Sequence, residues 1–306
     1  MTLLSMCVLD LQKNSIFFKK YGEGSLKKSD YWDATYDDAI NILRILPKIA
    51  GLIYTTKFNK NSTNLTNNDW AGRYANYMGY DSDEMSEVLR GYLGIHTDHE
   101  GGNISAHSAY VASSALCDSY LSLCNAINGL AGPLHGLANQ EVLKFLLKTK
   151  EAVENKGLDL NDCQSEEMRL FLTQFVKDWL KRGVIPGYGH GRLRTTDPRY
   201  THLKSLATKM MSDKKLVKLT HALEDIITPV LTDLGKVKNP NPNVDAHSGV
   251  LLYELGLTEY EYYTVIFAVS RAMGCFSNTI WARAIGLPLE RPGSMTLEQM
   301  KTFLKL

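Results

Sequence analysis

Helical periodicity constrains this chain more than any other feature of its sequence. Apolar residues recur every three or four positions through residues 30–54 and 201–234, and a further such stretch runs from Leu257 past Arg271 towards Gly286. The last stretch opens with Thr258-Glu259-Tyr260-Glu261, the pattern of a capping box. The alternation typical of strands is scarce, and hairpin dipeptides hardly occur. The sequence therefore predicts an all-α fold.

Composition and charge narrow the class of protein. The 306 residues include 34 Lys and Arg against 33 Asp and Glu, which gives a net charge of +1. A nearly neutral chain has no electrostatic reason to bind nucleic acid or an anionic membrane over a broad surface. No uninterrupted apolar run is long enough to span a bilayer. The five cysteines are scattered, which favours reduced thiols over a disulfide framework or a zinc site. We therefore expect neither a nucleic-acid partner nor a membrane partner.

Polar or glycine-rich segments separate the helical stretches. Asn59–Asn68 has the composition of a solvated surface loop. His96–Asn103 collects His, Asp and Glu, but without the helical spacing of metal ligands, so a metal site is disfavoured. A helix that ends at Gly101 with ordinary surface histidines explains this segment about as well as a functional role does.

A second loop places His135 between Gly132-Pro133 and Gly136, just before the helical stretch Leu137–Lys150. The dipole at a helix N-terminus disfavours imidazolium, so a neutral imidazole there could donate a hydrogen bond to a carbonyl oxygen. A capping or turn histidine explains the same pattern, and the residues alone do not separate the two interpretations.

Two later loops carry more charge. Pro186–Arg199 combines glycines, which let a backbone approach a ligand, with three arginines, which suit phosphate or carboxylate, and this favours an anion site. Asn239–Gly249 contains Asp245 directly before an apolar run and follows Lys236 and Lys238. A helix N-cap is the structural alternative for this Asp, and it weakens if Asp245 can act alongside two loop histidines.

Arginines also stand out near the C-terminal end of the sequence. Arg271 and Arg283 lie in an otherwise apolar helical stretch, and Arg291 follows it. Arginine on such a face usually pairs or extends its head group to solvent, but a substrate carboxylate is another possible partner. The sequence alone does not distinguish these roles.

Taken together, these motifs resemble citrate synthase of the eukaryotic, mitochondrial type. The similarity runs through nearly the whole chain in the family's order, and the segments that carry it are HEGGN (99–103), GLAGPLHGLANQEVL (129–143), PGYGH (186–190), TDPRY (196–200), NPNVDAHSGVLL (241–252), SRAMG (270–274) and LERP (289–292).

The resemblance implies an all-α protein with two domains and a homodimeric assembly. A large domain, N-terminally incomplete, would comprise residues 1–145 and 257–306, and a mobile small domain, residues 146–256, would carry the CoA-binding and catalytic loops. The implied reaction condenses acetyl-CoA with oxaloacetate and hydrolyses the product to citrate and CoA. It needs no cofactor, because acetyl-CoA is a substrate, and the implied location is the mitochondrial matrix.

The resemblance also implies roles for individual residues. Asp245 matches the base that removes a methyl proton from acetyl-CoA, His135 the group that stabilises the enol, and His190 the group that polarises the oxaloacetate carbonyl. The remaining implied contacts are His99, Arg199, Arg271 and, from a partner subunit, Arg291 for oxaloacetate and citrate, and Gly187, Gly189, Arg194 and Lys238 for CoA.

Two departures from the family leave alternatives open. Gly191-Arg192 stands where the family usually has small apolar residues, so an extra charge lies near the predicted site. In addition, roughly the first third of the family's sequence has no counterpart before Met1. A 2-methylcitrate synthase that uses propionyl-CoA is one alternative function, and a catalytically silent protein with a structural or assembly role is another.

Overall fold

The computed structural model describes residues 1–65, 69–235 and 237–305. Within these ranges the regular structure is helical, with one isolated antiparallel bridge between Tyr188 and Pro242 and no β-strand. The expectation of an all-α fold is confirmed. The α-helices are α1 (Thr2–Asp10), α2 (Ile16–Gly22), α3 (Tyr31–Phe58), α4 (Trp70–Met78), α5 (Asp83–His96), α6 (Ile104–Ser114), α7 (Ser119–Leu130), α8 (Ala138–Lys156), α9 (Glu166–Leu180), α10 (Pro198–Met211), α11 (Lys215–Leu234), α12 (Asp245–Glu254), α13 (Tyr263–Ala284) and α14 (Leu297–Leu304).

Helix α13 is the centre of one group of helices. It packs against α3, α5, α6 and α7, while α1 packs on α7 and α4 packs on α3 and α5. The buried residues of α13 are mostly apolar. At Gly274 any Cβ would overlap the backbone of Thr97. The missing side chain lets α13 approach the loop after α5, which positions that loop beside Arg271.

A second group comprises α8–α12. Helix α12 packs on α8, α10 and α11, and α9 packs on α8 and α11. Helix α5 links the two groups because it contacts both α10 and α12. The boundary predicted between residues 145 and 146 falls inside α8, which continues to Lys156. The division into a large and a small domain stays a prediction.

The predicted capping box at the start of α13 is wrong. The helix begins at Tyr263 after a single 3₁₀ turn, Tyr260–Tyr262. Glu261, the glutamate that the box would use, lies in this turn, and its carboxylate pairs with Lys57 at 3.1 Å. A long-range contact has replaced the local one that the sequence pattern suggests.

Other local expectations are adjusted by the structure. The periodic stretch 201–234 forms two helices, α10 and α11, separated at residues 212–214. Within the predicted surface loop Asn59–Asn68, residues 66–68 lie outside the described residues, as does Lys236. Among the residues that are described, no helix combines the length and hydropathy that a bilayer crossing requires.

Candidate active site

A cavity of about 170 Å³ lies where the two groups of helices meet. Its walls come from the loops after α5, α7 and α9, the starts of α10 and α12, and the middle of α13. Three histidines, two arginines and an aspartate face this small space together. The lining residues are His99, Asn103, His135, His190, Arg199, Asn243, Val244, Asp245, Phe267 and Arg271.

His135 is held at the cavity by the turn that follows α7. The next residue is a buried glycine, Gly136, at which a Cβ would overlap the carbonyl oxygen of Leu130. The Gly136 N–H donates to that oxygen at 3.0 Å, and the Gly136 carbonyl accepts from the Thr264 hydroxyl of α13 at 2.9 Å. The turn is therefore fixed to α7 and α13, and the imidazole with it.

The contacts of His135 define its protonation state. The Ser105 backbone N–H donates to Nε2 at 3.4 Å, and the Ser105 Oγ lies 3.0 Å from the same nitrogen. A ring nitrogen that accepts a hydrogen bond carries no proton, so the proton of neutral His135 is on Nδ1. Burial, with a smaller contribution from the charge of Arg271, lowers the pKa of His135 to about 4. At neutral pH the ring is an uncharged donor.

The loop that carries His190 is attached to the loop before α12. Gly187 and Gly189 have φ values of 83° and 97°, which glycine adopts without strain. The Gly189 N–H donates to Asn241 O at 3.0 Å, and the Asn243 N–H donates to Gly187 O at 2.9 Å. These bonds fix the position of His190 relative to Asp245, which lies two residues after Asn243.

His190 and His99 meet inside the cavity, with 3.0 Å between their Nε2 atoms. Nδ1 of His190 accepts hydrogen bonds from the backbone N–H groups of Arg192 at 3.0 Å and Leu193 at 2.9 Å. The proton of neutral His190 is therefore on Nε2, where it is donated to Nε2 of His99. Burial is the main cause that lowers the pKa of both histidines, and the positive charge of Arg199 adds to it.

Asp245 is the first residue of α12 and faces the cavity. Val244 occupies the N-cap position, so Asp245 is not the cap that the structural alternative predicts. Among the described residues its carboxylate accepts no hydrogen bond. Burial, with a smaller contribution from Asp197, raises the pKa of Asp245 to about 6 against the opposing charges of Arg199 and Arg271. Its carboxylate is a stronger base than an ordinary one and is still ionised at neutral pH.

Arg199 is held by the buried Asp197 at the start of α10. Its Nε and Nη2 donate to the two carboxylate oxygens of Asp197 at 3.1 and 2.7 Å. The same carboxylate accepts from the Val244 N–H at 3.3 Å, directly before Asp245. Burial would raise the pKa of Asp197, but hydrogen bonds and charge from Arg199 leave it below its usual range. Asp197 thus fixes both the guanidinium and the start of α12.

Arg271 is buried in α13 and its guanidinium is surrounded by neutral oxygens. Nε donates to His96 O at 3.0 Å, and Nη1 donates to Asn103 Oδ1 at 2.8 Å and to Ser105 Oγ at 3.1 Å. The group lies 4.8 Å from the ring centroid of Phe267. Burial lowers the pKa of Arg271, and the positive charge of Arg199 lowers it further. Two cationic groups in one cavity favour a ligand with negative charge.

The structure does not bring every predicted residue to this cavity. Arg291 is exposed between α13 and α14, and Lys238 is exposed before the loop that leads to α12. Arg194 is also exposed, where its Nη1 donates to the carbonyl oxygens of residues 190–193. Within the described part of the chain, no group of three or more His, Cys, Asp or Glu is placed to hold a metal ion.

Several residues of the site are absent from the sequence-based predictions. Ser105 contacts both His135 and Arg271, Asn103 caps α6 and contacts Arg271, and Asp197 orients Arg199. Asn103 and Asp197 lie inside the quoted motifs and have the N-cap residue types, which the sequence does show. Ser105 carries no such signal, since a serine in the first turn of a helix is common.

This is therefore an all-α protein whose main cavity gathers a basic carboxylate, three histidines and two guanidinium groups, and comparison with known proteins defines the family. The sequence matches the family described as "Citrate synthase, C-terminal domain" over residues 1–293. It is 50% identical over 301 residues to "Citrate synthase, mitochondrial" of Tetrahymena thermophila, covering 97% of this chain and 63% of that protein. For the protein of the same description from Daucus carota the identity is 47%, covering 100% of this chain and 63% of the relative.

This chain belongs to the citrate synthase family, and it spans about 63% of the length of these curated relatives. Solved structures share its fold. Citrate synthase from Pyrobaculum aerophilum aligns with a TM-score of 0.74 at 23% identity, covering 96% of this chain and 70% of that one. Citrate synthase from Thermoplasma acidophilum aligns with a TM-score of 0.69 at 23% identity, covering 95% of this chain and 72% of that one. Its structure was solved as a ternary complex with carboxymethyl coenzyme A and oxaloacetate.

Proposed function

We propose that this protein is a citrate synthase that condenses acetyl-CoA with oxaloacetate and hydrolyses the product to citrate and CoA. The observation that carries the proposal is the combination of Asp245, His135 and His190 with Arg199 and Arg271 around one cavity of about 170 Å³. A base, two neutral donors and two cations are the groups that such a condensation needs.

Asp245 and His135 act on acetyl-CoA. The methyl proton of a thioester is too weakly acidic for a carboxylate alone, so base and electrophile must act together. With a pKa of about 6, Asp245 is ionised at neutral pH and accepts the proton. His135, neutral and protonated at Nδ1, donates a hydrogen bond to the thioester oxygen and stabilises the negative charge that develops there.

His190, His99 and the two arginines act on oxaloacetate. His190 Nε2–H, which donates to His99 in the structure, donates to the oxaloacetate carbonyl oxygen when the ligand is bound and delivers its proton as the alkoxide forms. Arg199 and Arg271 bind the carboxylates, because planar guanidinium groups match carboxylate geometry. In a homodimer, Arg291 of the partner subunit would add a third such contact.

A second cavity, of about 960 Å³, supports binding of CoA. It lies beside the two loops that meet at the Tyr188–Pro242 bridge, and its lining includes Val184, Tyr188 and Val237. An apolar cavity with few polar groups is typical of a cofactor-sized ligand. The nucleotide part of CoA would lie there, against the backbone of Gly187 and Gly189, with Arg194 and Lys238 near its phosphates. The names of the relatives support a mitochondrial location.

The test is CoA release by the protein expressed from its complete gene. We expect free CoA to form from acetyl-CoA only when oxaloacetate is present, with citrate as the product by mass spectrometry. His135→Gln should abolish turnover, whereas His202→Gln, at an exposed histidine of α10, should not. A preference for propionyl-CoA would indicate a 2-methylcitrate synthase, and a folded protein without oxaloacetate-dependent turnover would refute the proposal.

A further inference from the structure

Glu100 and Arg192 form an ion pair between the two loops that carry the facing histidines. Glu100 directly follows His99, and Arg192 lies two residues after His190. Arg192 Nε is 3.5 Å from Glu100 Oε1, and the side chains are 75% and 49% exposed. The loops are thus joined twice, by the His99–His190 contact inside the cavity and by this pair at the surface.

The backbone around each residue of the pair is held in place. Asn103 Nδ2 donates to Glu100 O at 2.6 Å and to His99 O at 3.1 Å, and Glu100 has a left-handed conformation with φ of 53°. On the other loop, the Arg192 N–H donates to Nδ1 of His190 at 3.0 Å. Because each charged residue is attached to the backbone that carries its histidine, a force between the charges acts on the distance between the histidines.

Ligand binding breaks the His99–His190 contact and leaves the Glu100–Arg192 pair in place. His190 has one N–H, at Nε2, and the structure uses it to contact His99. A ligand carbonyl oxygen that accepts a hydrogen bond from this N–H must replace His99 as the acceptor. The His99–His190 contact between the loops is therefore lost when the ligand binds. Neither Glu100 nor Arg192 lines the cavity, so their contact can persist in the complex.

We propose that the Glu100–Arg192 pair is a positioning contact that keeps the His99 and His190 loops together while oxaloacetate occupies the space between the histidines. This inference rests on the proposed function, because it names oxaloacetate as the ligand of the cavity. The pair acts through the histidines and does not itself touch the substrate. Removal of either charge weakens oxaloacetate binding and leaves the chemical step almost unchanged.

The experiment compares the KM for oxaloacetate and kcat of Glu100→Gln and Arg192→Gln with those of the wild-type protein. We expect both variants to raise KM by about twofold to fivefold, the range for exposed ion pairs, with kcat within about twofold. Glu100→Gln distinguishes a positioning contact from a general electrostatic effect on oxaloacetate binding. If the charges only altered the electrostatic potential, removal of an acidic residue beside an anion site would lower KM instead.

A charge swap and a remote pair complete the test. The double variant Glu100→Arg with Arg192→Glu should restore KM to within about twofold of the wild-type value. Lys144→Gln, which breaks an exposed pair with Glu141 on α8, should leave KM unchanged. Opposite effects of the two single variants on KM, or a swap that fails to restore it in a protein with normal melting, would overturn the inference. A wild-type protein that lacks oxaloacetate-dependent turnover would refute the proposed function instead.

Discussion

Arg271 and Arg283 lie twelve residues apart on the buried helix α13, Arg271 near its middle and Arg283 near its C-terminal end. Both are buried, and burial lowers the pKa of each. Each guanidinium also lies over a phenylalanine ring, at 4.8 Å from Phe267 for Arg271 and 4.1 Å from Phe17 for Arg283. From helical periodicity alone the two are equivalent.

Their other neighbours make them different. Arg283 donates to Thr35 Oγ1 and to the carbonyl oxygens of Cys117 and Ser113, which joins α3, α6 and α13. The carboxylate of Asp118 lies close enough to favour its charge. Arg271 instead faces the cavity and the like charge of Arg199. Near its C-terminal end the helix uses Arg283 to hold helices together, and near its middle Arg271 leaves positive charge for a ligand.

The largest effect expected at the cavity is the loss of the base. Asp245→Asn should lower kcat by about 100- to 10,000-fold, the usual range for a general base. The fold should not suffer, because a carboxyl with a raised pKa destabilises the native state above that pKa, and the amide removes that cost. We expect unfolding free energy at pH 8 to rise by about 1–3 kcal/mol, from a shift of roughly two pK units.

Oxaloacetate affinity serves as the internal control for that variant, since Asp245 acts on the other substrate. Isothermal titration should give a dissociation constant close to the wild-type value. Turnover near the wild-type rate in a folded Asp245→Asn protein would contradict the assignment of the base.

The next effect separates Arg271 from Arg283 directly. Arg271→Leu should weaken oxaloacetate binding by about 1.5–3 kcal/mol, or roughly 10- to 150-fold, because a hydrogen bond to a charged group has that magnitude. Binding of acetyl-CoA should change much less. Titration of each ligand measures the difference, and equal weakening of both would indicate that Arg271 is structural in the way that Arg283 is.

Arg283→Leu should show the reverse pattern. Loss of the buried guanidinium leaves Thr35 and two carbonyl oxygens without their donor, and we expect about 2–4 kcal/mol lower stability in urea unfolding. Turnover per folded molecule should remain within about twofold of the wild-type value. An Arg283→Leu protein of normal stability that binds oxaloacetate poorly would contradict the structural role assigned to Arg283.

The sequence predicts those features of the structure that depend on neighbouring residues, and it fails where residues far apart in the sequence interact. Helical periodicity is a local property, and it correctly predicted an all-α fold. The predicted capping box at the start of α13 was wrong, because Glu261 pairs with Lys57, about two hundred positions earlier in the sequence. A pattern within four residues carries no information about such a contact.

The same limit applies to the site. The motifs included most of the residues that the cavity brings together, and SRAMG (270–274) set Arg271 apart from Arg283, which helical periodicity alone did not. Ser105 was missed because its role comes from meeting His135 and Arg271, 30 and 166 positions away. The tautomers of His135 and His190 likewise depend on backbone N–H groups that only the folded structure places.

The smallest expected effect is the pH dependence of turnover, and it tests whether Asp245 is the base in the cavity. The carboxylate is required, so kcat/KM should be constant above about pH 7 and fall as the pH drops through about 6. Between pH 7.5 and 5.5 the ionised fraction of a group with a pKa of 6 falls about fourfold. His135, whose pKa is about 4, stays neutral over this range and adds nothing. The residual activity of Asp245→Asn should lose this acidic limb, and a limb that persists in the variant would assign it to the His99–His190 pair instead.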